Sequence, residues 1–463
     1  MSNTRSRSTP RQMHLALYLS EVGSQLGAWR HPLAGNTAPL DWRFYKDMAQ
    51  KAERACLDMI FLADKLSVDD VYGGDFAASV SSRALPQHAE PLSVMASLVG
   101  ATSQIGLAAT VSATYSQPYT TARMLATIDH LSGGRVGWNV VTSVSDGEAR
   151  NYGQAEHLGH DPRYDKAQEF VALVKKLWDS WEDNWLIRDQ ASGIYGDASK
   201  VHRVDHNGAW FKVRGPLNVP RPPQGHPVQI QAGVSSNFER TALEQAEVIF
   251  AVQPTLEKAR DFYARFKQQL ETVGRSANSL KVLPGIVPIV GHTRQDALDL
   301  QRELNEKLLP QAALSFMSAS MNHDLAQYEL HAPVPDIAAR ITGSKGRFQA
   351  VLKKAQDEKL TLAQLGVWYA QSLSFFAPLG TAEEVAEQLI TWFEARACDG
   401  FVVLPAIMPL GANDFLEKVV PLLQQRGAFR KAYPGTTLRD TLGLQIPPNQ
   451  FAAAAPEEAP LAI

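Results

Sequence analysis

Short apolar runs alternate with amphipathic stretches along nearly the whole chain. "MHLALYL" (13–19), "DMIFLAD" (58–64), "IGLAATVSAT" (105–114), "RVGWNVVTS" (135–143), "VQIQAG" (228–233), "EVIFAV" (247–252), "LKVLPGIVPIVG" (280–291) and "DGFVVLP" (399–405) each read as a buried strand. Between them the apolar positions take helical spacing. Tyr45, Met48, Ala49, Ala52 and Cys56 share one face, as do Phe170, Val171, Val174, Leu177 and Trp178, and later Phe415, Val419, Leu422 and Leu423. Pro118 suits the first turn of a helix that Gly133 ends.

Strands that are apolar throughout, each followed by a helix, imply a parallel sheet covered by helices. Eight of them predict an α/β fold, a (β/α)8 TIM-type barrel; a doubly wound open sheet is the competitor. About ninety residues of mostly helical pattern separate the seventh strand from the eighth, which predicts a helical insertion at about 293–380 before the last strand. The expected organisation is a disordered lead (1–12), one barrel domain (13–445) and an Ala/Pro-rich arm (446–463).

Composition narrows the function. Of 463 residues 45% are hydrophobic and 20% charged, with net charge −3, a balance that suits a globular protein and argues against nucleic acid as a partner. No segment reaches the ~18 apolar residues of a membrane span, and the basic N-terminus lacks the apolar core of a secretory signal, so a cytoplasmic location is expected. Cys56 and Cys398 lack metal or redox spacing and are expected to be reduced core residues.

In a barrel of this kind chemistry sits at the C-terminal ends of the strands. Asp64, Thr110, Asn139, Thr142, Ser143, Gln231 and Gly233 fall at such ends; each is also able to serve as a cap or a bonded core residue. "QAGVSSN" (231–237) offers backbone N–H groups and hydroxyls at a helix start, a seat for phosphate or an ordinary cap. "HDPRYDKAQEF" adds His160, Arg163 and Tyr164 as further donors. There is no dinucleotide or P-loop fingerprint, no metal-ligand spacing and no nucleophile elbow, which points to a bound cofactor as the reactive agent.

Together "FLADK", "ATVSATYSQPYTTARMLATIDHLSGGRVGWNVVTS", "NYG", "RYDKAQEFVALVKKLW", "GPLNVPRPPQGHPVQIQAG" and "DGFVVLPAIMP" resemble the nitrilotriacetate monooxygenase group of bacterial-luciferase-like flavin monooxygenases, over about residues 13–445. The resemblance implies a two-component FMN-dependent monooxygenase. Reduced FMN would come from a separate NAD(P)H:flavin reductase, O2 would be co-substrate, and a small polar nitrogen- or sulfur-containing compound would be oxygenated, with or without C–N or C–S cleavage. It implies a homodimer or dimer of dimers, with no metal.

By the same resemblance Asp64, Thr110 and Asn139 line the flavin ring, while His160, Tyr164, Ser235 and Ser236 serve the ribityl chain and phosphate; Val234 stands where a first serine is usual. Trp29, Trp138 and the loop "GSQLGAWRHP" are lid, wall or core elements. His31 and His160 are conceivable proton donors, and Arg30 and Arg83 are either substrate anchors or solvated surface charges. A deazaflavin-dependent barrel dehydrogenase and a non-catalytic flavin-binding protein are the alternatives.

Overall fold

The computed structural model describes residues 11–35, 38–82, 89–233, 236–343 and 345–452. Eight parallel strands close into a barrel: β1 (His14–Tyr18), β2 (Met59–Leu62), β3 (Gly106–Ser112), β4 (Val136–Val141), β5 (Val228–Ala232), β6 (Val248–Ala251), β7 (Lys281–Ile286) and β8 (Gly400–Val403). β1 pairs with both β2 and β8, which excludes the open sheet. Every residue of β2, β3, β6 and β8 is buried, so these strands show no polar alternation. Ala16, Met59, Phe61, Ala108, Ile230 and Val248 fill the barrel interior. Their neighbours Leu15, Leu17, Ile60, Leu107, Ala109 and Trp138 pack outward against the helices.

Helix α1 (Trp42–Arg54) buries Tyr45, Met48, Ala49 and Ala52. Cys56 lies beyond its end in the left-handed conformation (φ 63°) rather than on the helical face that its spacing suggested; both cysteines are free and buried. α2 (Pro91–Val99) and α3 (Pro118–Ser132) follow, the latter with Pro118 in its first turn and Gly133 at φ 71° closing it. After β4 come α4 (Asp146–Asn151) and α5 (His160–Trp178), whose Phe170, Val171, Val174, Leu177 and Trp178 are all buried. α6 (Ser236–Gln245) and α7 (Leu256–Thr272) flank β6. Among the described residues no helix is long and apolar enough to cross a membrane.

The helical insertion comprises α8 (Arg294–Glu306), α9 (Pro310–Met321), α10 (Lys345–Asp357) and α11 (Leu362–Ser372). It has its own small core, in which Leu314, Met317, Phe348, Val351, Leu365 and Tyr369 are buried. Ile289–Val290 pairs with Leu379–Gly380, bringing the two ends of the insertion together before α12 (Ala382–Glu394) leads into β8. The helical run at 410–425 after β8 contains a π-type turn at Phe415–Val419 and buries Phe415, Val419 and Leu423, with Leu422 partly covered. Two small antiparallel pairs, Leu186–Asp189 with Ile194–Gly196 and His206–Asn207 with Lys212–Val213, are additions the apolar pattern does not announce.

A short helix, α13 (Leu438–Leu442), closes the N-terminal end of the barrel. Its Leu438, Leu442 and Leu444 just beyond it belong to the barrel's inner core. Gly106 and Gly137 make the room: a Cβ at Gly106 would stand 2.6 Å from Leu438 Cδ1, and one at Gly137 3.4 Å from Cδ2. The neighbouring Arg439, 1% exposed, donates to both carboxylate oxygens of Glu247 (2.7 and 3.0 Å) and to the backbone oxygens of Gln224 and His226. At the chain's two ends, Arg11 donates to Phe393 O (2.9 Å), and Phe451 stacks on His202 with ring centroids 5.0 Å apart.

Candidate active site

Polar groups enter the barrel interior at its C-terminal end. Thr110 on β3 and Asn139 on β4 are register partners, 3% and 2% exposed, and Asn139 Nδ2 donates to Thr110 Oγ1 at 2.9 Å. Asn139 Oδ1 is buried without a hydrogen-bond partner. A buried carbonyl oxygen left unpaired costs about 1–3 kcal/mol, so its position favours a ligand or water that donates to it. In the same interior Phe61 and Phe250 meet edge to face (4.8 Å) and give it an apolar wall. One step above, Ser112 Oγ and Ser143 Oγ lie 2.9 Å apart, with Ser143 turned into the left-handed region (φ 53°) where β4 ends. Phe375 occupies the space that Gly285 leaves on β7.

One strand-end reading is corrected. Gln231 pairs in register with Val140 and shares its outward side, because β5 turns Val228 and Ile230 inward. Trp138 is likewise core, packed against Trp178 (5.7 Å) and Phe170 (6.1 Å), and is no part of a lid or pocket wall.

Asp64 follows β2, half-buried at the same end. Burial, reinforced by the charge of Glu90, pushes its carboxyl from the ordinary aspartate range up to about 6. The unfolded aspartate ionises near 4, so between pH 4 and 6 the native state binds more protons than the unfolded state. The stability this confers is full below pH 4 and is lost as pH rises through 6. Asp64→Asn is therefore expected to change stability little at pH 4 and to raise it by about 1–2 kcal/mol at pH 7.5. Urea midpoints at the two pH values check this; equal shifts at both would contradict it.

The rim is built by loops. Tyr115, past β3, stacks on Tyr152, past α4 (4.8 Å, 17°), and its Oη lies 2.7 Å from His157 Nδ1. Arg163 is 3% exposed and donates through Nη1 to His157 Nε2. It thus serves the imidazole, where the sequence had offered it as a phosphate donor. Glu148 closes a capping box with Ser145 and accepts from the Val144 and Ser145 amides, which holds the turn after β4. Lys166 donates to Thr114 O (2.7 Å). His160 opens α5 and Ser236 opens α6; their side chains, and Val234 and Ser235 entirely, lie outside the described residues, as does Arg83. Tyr164 is partly buried against the Phe238 cluster of α6 and α7.

The loop after β1 is pinned to the insertion. Gln25 Nε2 donates to Leu304 O (2.8 Å), Arg30 to Lys307 O (2.6 Å), and buried His31 meets Glu303 through Nε2 (2.9 Å) while its Nδ1 accepts from the Leu33 amide. His31 and Arg30 thus have structural partners, and Trp29 is 41% exposed. On the other side Asn322, after α9, exchanges hydrogen bonds with Asp146 of α4. The insertion therefore braces two loops that border the mouth.

Sequence reasoning placed Asp64, Thr110, Asn139 and Ser143 at this end. It missed Ser112, Tyr115, Glu148, Tyr152 and His157. Only Glu148 carried a local signal, the Ser-x-x-Glu spacing of a capping box. Ser112 ends β3, and Tyr115, Tyr152 and His157 are loop residues whose partners are set by the fold.

A family model described as luciferase-like monooxygenase matches residues 25–399. The chain is 43% identical to a dibenzothiophene-sulfone monooxygenase of Rhodococcus erythropolis (strain XP), over 95% of this chain and 98% of that one. It is 40% identical to nitrilotriacetate monooxygenase component A of Aminobacter aminovorans, over 96% and 98%. Among solved structures, a riboflavin lyase with modified FMN and riboflavin superposes with a TM-score of 0.84 at 31% identity, over 94% of this chain and 97% of that one. A closed parallel barrel with a polar layer at the C-terminal ends of its strands, matched at this identity over nearly its full length, makes the chain a member of the luciferase-like monooxygenase family.

Proposed function

We propose that the protein is a monooxygenase that uses reduced FMN, supplied by a separate NAD(P)H:flavin reductase, and O2 to oxygenate a small polar nitrogen- or sulfur-containing compound. The observation that carries the reading is the unpaired Oδ1 of Asn139 beside Thr110, buried at the reactive end of the barrel. An N–H-bearing ring edge such as that of a flavin fits this acceptor. The activities of two relatives, a sulfone and an aminopolycarboxylate monooxygenase, support the substrate class, and the FMN-containing riboflavin lyase structure supports the cofactor. The word "component" in one relative's name supports a partner protein.

Asp64, Thr110 and Asn139 would hold the ring, with Tyr164, His160, Ser235 and Ser236 toward the ribityl chain and phosphate. Reduced flavin, when bound, supplies the electrons that activate dioxygen. The chain's own task is to bind, orient and exclude water. Phe61, Phe250 and Phe375 give the pocket apolar surfaces, and the braced loops limit solvent entry. No side chain is required as a nucleophile. A cytoplasmic homodimer or dimer of dimers accords with this role.

The test is aerobic turnover with photoreduced FMN and candidate sulfones, thioethers and aminopolycarboxylates, read by mass spectrometry. A product that gains one oxygen atom, or that has lost an N- or S-linked fragment, is expected. Tight FMN binding with no product from any class would favour a flavin-binding protein, and selective binding of a deazaflavin would favour a dehydrogenase.

A further inference from the structure

Residues from three separate segments meet beyond the ends of β3 and β4: Tyr115, His157 and Arg163. Their contacts have a defined direction. A guanidinium carries only N–H groups, so at its contact with His157 Nε2 Arg163 donates and Nε2 accepts. A neutral imidazole that accepts at Nε2 bears its hydrogen on Nδ1. Burial, and then the charge of Arg163, pushes the imidazole down to about 4, which keeps it neutral through the physiological range.

Nδ1 lies 2.7 Å from Tyr115 Oη. With the hydrogen on Nδ1, the phenol oxygen is the acceptor and its own O–H must point elsewhere. His157 is the hydrogen-bond partner of Oη among the described residues, so the hydroxyl hydrogen is left over. Burial and the nearby Glu148 carboxylate push the phenol up to about 12, so the hydrogen is retained. The ring is clamped by its stack on Tyr152 and is half-buried. The Tyr115 amide donates to Ser112 Oγ (3.4 Å), on the inner face of β3 two residues beyond Thr110, and Ser112 Oγ also meets Ser143 Oγ. Tyr115 thus stands at the rim, just beyond the polar layer, with its hydroxyl at His157.

We infer that Tyr115 is a substrate-recognition residue whose hydroxyl is held as a donor by Arg163 acting through His157, and that it takes an acceptor oxygen of a carboxylate or sulfonyl group on the substrate. The inference rests on the oxygenase reading above. A fixed donor excludes ammonium and N–H groups from that position. The buried Arg163 directs Nη1 at His157 Nε2, so its charge polarises the imidazole and strengthens the donor.

Tyr115→Phe keeps the stack on Tyr152 and removes the donor. FMN-loaded enzyme is titrated calorimetrically with nitrilotriacetate and, separately, with dibenzothiophene sulfone, which distinguishes carboxylate from sulfonyl recognition. Wild type is expected to bind at least one probe. The variant should bind that probe about ten-fold or more weakly with the Kd for FMN unchanged, while the thermal midpoint falls only modestly because the Nδ1–H of His157 loses its acceptor. Equal probe affinity in the two proteins overturns the inference. So does weaker FMN binding with probe affinity intact, and so does failure of wild type to bind either probe.

Nitrogen-15 NMR of histidine-labelled protein, with the signal assigned by His157→Gln, should show the Nδ1–H tautomer. The Nε2–H tautomer or a doubly protonated ring would overturn the donor direction. A probe that binds through Tyr115 but is never oxygenated would leave this inference standing and overturn the proposed function.

Discussion

Leu438→Ala is expected to destabilise the protein by about 3–5 kcal/mol, the upper part of the range for a buried leucine truncation. Leu438 is 0% exposed and stops the N-terminal end of the barrel among inner-face residues. Large-to-small changes are mildest where neighbours can collapse into the gap. Here two of the walls are Gly106 and Gly137, which have no side chain to move, and their strands are held in a closed hydrogen-bonded ring, which limits the collapse. The backbone of Leu438 is also tied to Gly134 O (2.9 Å), and Arg439 beside it is locked by Glu247, so the segment cannot slide inward. Thermal and urea unfolding of Leu438→Ala, Leu438→Met and the exposed control Leu131→Ala provide the check. Met should lose under about 1.5 kcal/mol and the control close to nothing. A wild-type midpoint for Leu438→Ala would mean that the plug does not hold the barrel.

Asn139→Ala is expected to weaken FMN binding by about 10- to 30-fold while leaving the fold intact. Losing a hydrogen bond to a buried acceptor is worth about 1.5–2 kcal/mol, which converts to that range. The substitution removes the unpaired Oδ1 and also leaves Thr110 Oγ1 without its donor. Thr110→Val removes the other half of the pair. If the two residues act together on one ring edge, the double variant should lose less than the sum of the single losses. Fluorescence quenching of FMN by each variant, with thermal midpoints as a folding control, measures this. Wild-type affinity in Asn139→Ala would refute its assignment to the cofactor.

The barrel was legible because its signals are local. A strand buried on both faces must be apolar at every position, and helices between such strands must show one apolar face; both rules act within a few residues. Pro118 and Gly133 mark the ends of α3 for equally local reasons, the fixed φ of proline and the left-handed freedom of glycine. Cys56 shows the limit. It continues the spacing of α1, yet the helix has already ended at Arg54 and the residue turns into the left-handed region.

Within the site, Thr110 and Asn139 could be named from their place at the ends of apolar runs. Gln231 had the same signature and faces outward, because side chains alternate along a strand and the sequence does not say which parity faces in. Trp138, adjacent to Asn139, took the outward side for the same reason. His157 lies in a loop of no marked pattern, and its meaning depends on Tyr115, forty-two positions earlier, and on the donor-only chemistry of Arg163.

By itself, then, the sequence determined the number and order of the barrel strands, the helical insertion before the last one, the family likeness and the end of the barrel at which chemistry belongs. The strands and the insertion follow from periodicity and composition, which hydrophobic burial imposes on each segment independently, and the family likeness rests on particular motifs. Only the tertiary structure decided which polar side chains share the interior, that Leu438 fills the space above two glycines, and that Arg163 sets the hydrogen-bond direction of Tyr115. Those are properties of pairs far apart in the chain, fixed by barrel closure and loop packing, and no local pattern encodes them.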